Sequence, residues 1–116
     1  MDRKKELKLQ YQQMKPAMGI FLICSRISNK CFLEATPDLK GRINSTRFKL
    51  ESGAHPNREL QREWHDYGAG NFSIEILEHL AYDREEAKTD YTEDLALLQM
   101  IWEEKLAREN KVFYKK

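Results

Sequence analysis

Four basic side chains within one predicted helix have the chemistry to bind phosphate: Lys40, Arg42, Arg47 and Lys49. Lysine and arginine attract a polyanion by charge and donate hydrogen bonds to phosphate oxygens. The helix has clear boundary signals, with Thr36 as the cap, Pro37 at the first helical position and Gly53 at the end. We therefore predict that the four residues contact nucleic-acid phosphates.

The charge of the whole chain is balanced, but its distribution along the sequence is not. The 116 residues carry a net charge of +1; residues 1–62 hold 13 Lys and Arg against 6 Asp and Glu, and residues 63–116 hold 7 against 13. A basic first half suggests a surface for a polyanion. Mutual neutralisation of the two halves across the fold is the alternative, and on charge alone we prefer it.

Two cysteines and two histidines are the conceivable metal ligands: Cys24, Cys31, His55 and His65. Their spacing matches no zinc motif, so we predict two buried structural thiols, no metal and no cofactor. The N-terminus lacks the apolar region of a signal peptide, and the longest apolar run is too short to cross a bilayer. We therefore expect a cytoplasmic protein without a membrane partner, in which both cysteines are reduced.

The elements that must position these groups follow from hydrophobic periodicity. The apolar run at residues 20–24 predicts a strand buried on both faces, and residues 31–33 predict a second strand joined to it by a hairpin at Asn29. Alternation predicts a third strand at residues 72–77. Between the strands, Asn57 is predicted to cap a second helix whose buried face is Leu60, Trp64 and Tyr67.

Further helices are predicted at the two ends of the chain. Residues 1–16 are predicted to form an amphipathic N-terminal helix, either a basic arm on a phosphate backbone or, in our preference, a helix docked on the domain or on a second copy. A long acidic helix is predicted over about residues 83–110, where Leu97, Met100 and Ile101 widen the apolar stripe beyond the needs of a surface helix. Residues 111–116 are predicted to be a frayed basic tail.

Several short motifs of this sequence, in this order, resemble those of the GIY-YIG nuclease superfamily. Gly19-Ile20-Phe21 stands where the first signature, Gly-Ile-Tyr, would stand, and residues 30–34 stand where the second, centred on Tyr-Ile-Gly, would stand. Arg42 occupies the position of a family arginine, and residues 60–78 are similar to the family's segment of helix, Tyr-Gly, Asn-Phe and strand. The resemblance covers about residues 18–98, within a domain of residues 17–110. It implies an α+β fold in which a small three-stranded antiparallel sheet is flanked by helices.

The resemblance also implies a chemistry, metal-dependent hydrolysis of phosphodiesters, for which this chain lacks most of the groups. Phe21 and Phe32 stand at the two tyrosine positions, and a benzyl ring neither donates nor accepts a proton. Glu34 replaces the glycine of the second signature, adding bulk and negative charge. The family's metal-binding glutamate falls near Tyr91, with Glu93 two residues away and so about 200° around the helix. Thr46 lies near the position of a family histidine or tyrosine, and only Arg42 is retained, as a catalytic remnant.

The sequence therefore predicts a GIY-YIG-fold domain that has lost nuclease activity and acts as a nucleic-acid-binding or regulatory module, with DNA or RNA as its partner. One alternative is an active nuclease with a rearranged site, in which Glu34 or Glu93 would hold Mg²⁺ or Mn²⁺. A second alternative is a homodimeric interaction domain built from the first and last helices.

Overall fold

The computed structural model describes residues 15–85 and 87–115. It consists of a four-stranded sheet between two layers of helices. The predicted helix at residues 1–16 lies almost entirely outside these residues. The elements are β1 (Met18–Ser25), β2 (Lys30–Thr36), α1 (Leu39–Ser52), α2 (Arg58–Tyr67), a 3₁₀ turn (Ala69–Asn71), β3 (Phe72–Leu80), α3 (Thr92–Arg108) and β4 (Val112–Phe113). The strand order is β3-β1-β2-β4. The predicted α+β class is confirmed, with one strand more than expected.

The hairpin of β1 and β2 is confirmed, and its turn has the predicted chemistry. Asn29 has a φ of 64°, the left-handed conformation that asparagine tolerates better than most residues. The Ser25 hydroxyl accepts hydrogen bonds from the backbone N–H groups of Ile27 and Ser28 at 3.1 Å each. These local bonds replace the sheet hydrogen bonds that the turn residues lack.

The two cysteines were predicted to be reduced, and this prediction is wrong in the structure. The register of β1 and β2 places Cys24 directly opposite Cys31, with their Cα atoms 4.3 Å apart, and the two sulfurs form a disulfide. Directly opposed residues of an antiparallel pair lie close enough for such a bond when they occupy a position without mutual backbone hydrogen bonds. Sequence spacing alone does not reveal this pairing.

The central strand β1 is buried on both faces, as its unbroken apolar run predicts. Phe21 and Ile23 pack with residues of α1 and α2, whereas Ile20 and Leu22 pack with Leu98 of α3 on the other side. Successive side chains of a strand point to opposite faces, so one strand supplies two separate cores. We call the two sides the α1/α2 face and the α3 face.

Gly19 is required by a close approach between strands. A Cβ atom at this position would lie 2.1 Å from the carbonyl oxygen of Glu78 in β3. The β1–β3 register shifts immediately afterwards, between Ile20 and Phe21, which marks an irregularity in the ladder. The first glycine of the signature therefore has a packing role in this fold.

Two predicted helix starts differ from the structure. The cap of α1 is Asp38, whose side chain accepts a hydrogen bond from Gly41 N–H. The predicted cap, Thr36, lies two residues before Asp38, and its hydroxyl accepts from Asp38 N–H. The last helix begins at Thr92 rather than near residue 83. The residues between β3 and this helix form a loop. In this loop the Tyr91 hydroxyl accepts from Asp83 N–H at 2.9 Å, and Tyr82 packs edge-on against the Tyr91 ring.

The C-terminal residues are ordered against the sheet, contrary to the prediction of a frayed tail. Val112 and Phe113 pair in parallel with Lys30 and Cys31 and add β4 to the edge of β2. Tyr114 is buried among the residues of the α1/α2 face. An apolar Val-Phe-Tyr sequence between lysines has enough apolar area to pack. Within the described residues, no helix combines the length and apolar character needed to cross a bilayer.

Candidate functional site

The residues at the family tyrosine positions are core aromatics. Phe21 is 0% exposed and packs with Leu39, Leu60 and Trp64, and Phe32 is half-buried against the same cluster. Cross-strand pairing places Phe21 opposite Glu34 and Phe32 opposite Ile23, so all four side chains are on the α1/α2 face. The sheet therefore brings the positions of both signatures together, but without a hydroxyl group at either.

Arg42 is engaged by a carboxylate of the same chain. Its Nε donates to Glu34 Oε2, and its Nη2 donates to Glu34 Oε1 at 3.1 Å. The two parallel hydrogen bonds use the planar fork by which arginine also binds phosphate. The hydrogen bond to Glu34 is the main cause that raises the pKa of Arg42. Glu34, which stands in place of the signature glycine, thus binds Arg42, the family arginine that this chain retains.

His55 joins this group, a role that sequence reasoning missed because it considered His55 only as a zinc ligand. The side chain is buried, its ring packs edge-on against Phe32 with centroids 5.3 Å apart, and its Nδ1 accepts from Asn57 N–H at 3.0 Å. Burial lowers the pKa of His55, and the nearby Glu34 carboxylate partly opposes this shift. The position of His55, two residues before the cap Asn57, could have indicated this role, because a histidine there can accept a hydrogen bond from the cap's N–H.

The four predicted phosphate contacts do not form one patch. At about 100° per residue, positions seven apart on a helix nearly coincide, so Lys40 and Arg47 share one flank of α1. Arg42 and Lys49 share the other flank, and both contribute to the electrostatics of His55. Leu39, Thr46 and Leu50 are buried between the two flanks. The outer side of α1 lies between the two flanks, so no single flat surface contains all four residues.

The other positions that the resemblance singles out do not complete a site. Thr46 is buried on the side of α1 that faces the sheet. Tyr91 is buried on the α3 side, and its hydroxyl accepts a hydrogen bond from a backbone N–H. Glu93 is exposed in the first turn of α3, across the sheet from Arg42. The Asn71 side chain donates a hydrogen bond to the Tyr67 carbonyl, so it holds the backbone at the end of α2.

In proteins Mg²⁺ is usually held by one or two carboxylates, with water and substrate phosphates as its other ligands. Residues 15–85 and 87–115 contain no group of three His, Cys, Asp or Glu side chains placed to hold an ion. Glu34, the carboxylate nearest the signature positions, is committed to Arg42. Tyr91 stands near the position of the family's metal-binding glutamate, and its hydroxyl accepts a backbone N–H, so the residue there does not fit the family's metal, and we derive no metal-dependent step. The absence of a cofactor stays a prediction.

A second polar cluster at the end of the same face was also missed. Glu63 of α2 is buried, and its Oε1 accepts from the Ser28 hydroxyl at 2.5 Å and the Tyr114 hydroxyl at 2.9 Å. Lys30 Nζ lies 3.7 Å from Glu63 Oε2 and 2.7 Å from Glu59 Oε1. Burial raises the pKa of Tyr114, so the phenol stays protonated and keeps donating. The cluster joins the hairpin turn, α2 and the C-terminus, and we assign it a structural role.

An open groove of about 940 Å³ lies between the end of α1 and α2 rather than over Arg42. Its charged lining contains both signs, with Arg58 and Arg62 beside Glu51 and Asp66. His55 lies at its border with the Arg42–Glu34 pair. Mixed charge and an open shape do not define a particular ligand.

Comparison with known proteins identifies the fold. No protein-family model matches the sequence, and no curated protein gives a significant match. Two solved structures match with a TM-score of 0.65: the catalytic domain of the homing endonuclease I-TevI, and a mutant form of the catalytic domain of intron endonuclease I-TevI. They are 22% and 23% identical to this chain, and the matches cover 85% of it and 99% and 92% of theirs. The chain has a GIY-YIG-like fold, which confirms the resemblance.

Proposed function

We propose that this GIY-YIG-fold domain has no nuclease activity and acts as a module that binds nucleic acid through phosphate contacts from α1. One observation carries the proposal. Glu34 holds the Arg42 guanidinium in a bidentate pair, between two signature positions occupied by phenylalanines. A scissile phosphate at Arg42 would have to displace this carboxylate and would meet no phenolic group.

The electrostatics of the helices support binding without chemistry. In α1, four basic residues accompany a single acid, Glu51, whereas α3 carries Glu93, Asp94, Glu103 and Glu104 against Lys105 and Arg108. The helices lie on opposite faces of the sheet. A polyanion is therefore attracted to α1 and repelled from α3.

The test for lost catalysis is incubation of supercoiled plasmid with the purified chain in Mg²⁺ or Mn²⁺. We expect no nicking by the wild-type chain or by the Glu34→Gly variant, which restores the signature glycine and releases Arg42. Metal-dependent nicking that Arg42→Ala abolishes would establish instead the active nuclease with a rearranged site.

The test for binding is fluorescence anisotropy of labelled DNA and RNA over a salt series. We expect affinity to fall steeply as salt rises, because phosphate contacts release counterions. Arg47→Gln should weaken binding and reduce the salt slope by about one unit. Lys105→Gln on α3 is the matched control and should change neither. Absence of binding at low salt would overturn the proposal.

A homodimeric interaction domain is the second candidate, and one observation favours it. Leu97, Met100 and Ile101 are all more than half exposed on the outer side of α3. Apolar side chains at this spacing form one stripe that another helix can cover. Sedimentation equilibrium tests this candidate. A dimer that Leu97→Gln dissociates, without affinity for nucleic acid, would favour it over the binding module.

A further inference from the structure

Phe48 is the most exposed large apolar side chain of the described residues, with 72% of its surface accessible. It lies in α1, between Arg47 and Lys49. A phenylalanine gains free energy from burial, and the fold gives this one no buried contact surface to match. Its packing therefore does not explain an aromatic residue at this position.

The helix places Phe48 on a ridge between the two basic flanks. Leu50 lies about 200° around the axis from Phe48 and is 2% exposed, so Phe48 points away from the sheet. Arg47 and Lys49 lie about 100° to either side of Phe48. The outer surface of α1 therefore carries an aromatic ring with a cationic side chain on each side, and the acidic Glu51 lies three residues further along the same surface.

This combination matches the chemistry of a nucleic-acid strand whose bases are unstacked. A ring can stack on the face of any base, while cations beside it bind the phosphates that precede and follow that base. In a duplex the faces of the bases are covered by their neighbours, so a ring cannot stack on them, whereas the phosphates stay accessible. A single strand can use both kinds of group.

We propose that the outer surface of α1 binds single-stranded nucleic acid, with a base stacked on Phe48 and phosphates at Arg47, Lys40 and Lys49. The inference rests on the proposed function and specifies its ligand. The exposed apolar stripe of α3 does not offer the same site, because its neighbours Glu93 and Glu104 are acidic. Of the exposed large apolar side chains among the described residues, Phe48 alone is aromatic, and its sequence neighbours Arg47 and Lys49 are both basic.

The experiment measures the dissociation constants of a labelled single strand of about 12 nucleotides and of the corresponding duplex, by anisotropy at low salt. We expect the wild-type chain to prefer the single strand. Phe48→Ala should weaken single-strand binding about tenfold and leave duplex binding unchanged, since only the stacked base is lost. Phe48→Trp should restore binding, because tryptophan also stacks.

Leu97→Ala, which removes an exposed apolar side chain from the acidic helix, is the matched control and should have no effect on either ligand. Equal urea midpoints for the variants show that folding is unchanged. Single-strand binding that is indifferent to Phe48→Ala would overturn this inference and leave the binding module intact. No binding to either nucleic acid would overturn the proposed function as well.

Discussion

The two faces of the sheet are built from the same strands but differ in chemistry. The α3 face has an apolar interior, in which Ile20, Leu22 and Leu98 pack together. The α1/α2 face has an aromatic core that adjoins two groups of polar side chains, one around Arg42 and one around Glu63. Alternation along a strand separates the faces, so a site on one face can change while the other keeps the fold.

The comparison also shows how the proposed loss of nuclease chemistry is compatible with the packing of the fold. Phe21 and Phe32 keep aromatic volume where the signature positions meet, so the packing of the α1/α2 face is preserved. Glu34 supplies a counter-charge for Arg42 in place of a bound phosphate. These substitutions neutralise the site and leave the opposite face unaffected.

The largest effect is expected from Tyr114, which completes the α1/α2 face from the end of the chain. Tyr114→Ala should lower the free energy of unfolding by about 3–5 kcal/mol, because it opens a cavity and removes a donor to buried Glu63. Urea denaturation measures this. Val112→Ala, an exposed residue of the same segment, should cost less than about 0.5 kcal/mol. Similar small losses for both variants would mean that the α1/α2 face does not depend on the C-terminus.

A smaller effect is expected from Gly19, in the strand that both faces share. Gly19→Ala should destabilise the fold by about 1–3 kcal/mol, since the new methyl group meets the Glu78 carbonyl and β3 must move. Gly70→Ala is the control, because a Cβ there has no neighbour within 4 Å, and it should change stability by under about 1 kcal/mol. Thermal unfolding of the two variants decides between a packing role and a neutral one.

The pH dependence should distinguish the faces, because His55 is buried on the α1/α2 face. Its pKa is lowered from the ordinary 6.5 by burial, so the unfolded chain takes up this proton first as the pH falls. Stability is therefore lost as the pH falls below about 6.5. Urea unfolding over this range should show the loss in wild type and in His65→Gln, an exposed histidine variant, but not in His55→Gln. The same dependence of the unfolding free energy on pH in all three proteins would contradict this prediction.

The smallest effect is expected on the outer side of α3. The double variant Leu97→Gln, Met100→Gln should change the stability of the monomer by less than about 0.5 kcal/mol, since both side chains are exposed. Urea unfolding at two protein concentrations gives the result. A large loss that depends on concentration would show instead that this stripe is covered by a second copy.

Local chemistry in the sequence was enough to predict most elements of the fold. The apolar run of β1, the turn at Asn29, the cap at Asn57 and the buried stripe of α2 depend on neighbouring residues, so periodicity and capping rules reveal them. The missing hydroxyls were equally visible, because residue identity alone decides whether a side chain can donate a proton.

Tertiary structure alone decided which distant groups meet. The Glu34–Arg42 pair, the edge-on contact of His55 with Phe32, the disulfide and the burial of Tyr114 depend on strand register and helix docking. A shift of one residue in register would send each strand side chain to the other face, and no local pattern fixes that choice by itself. The sequence determined which chemical groups are present, and the packed sheet determined which of them neutralise one another.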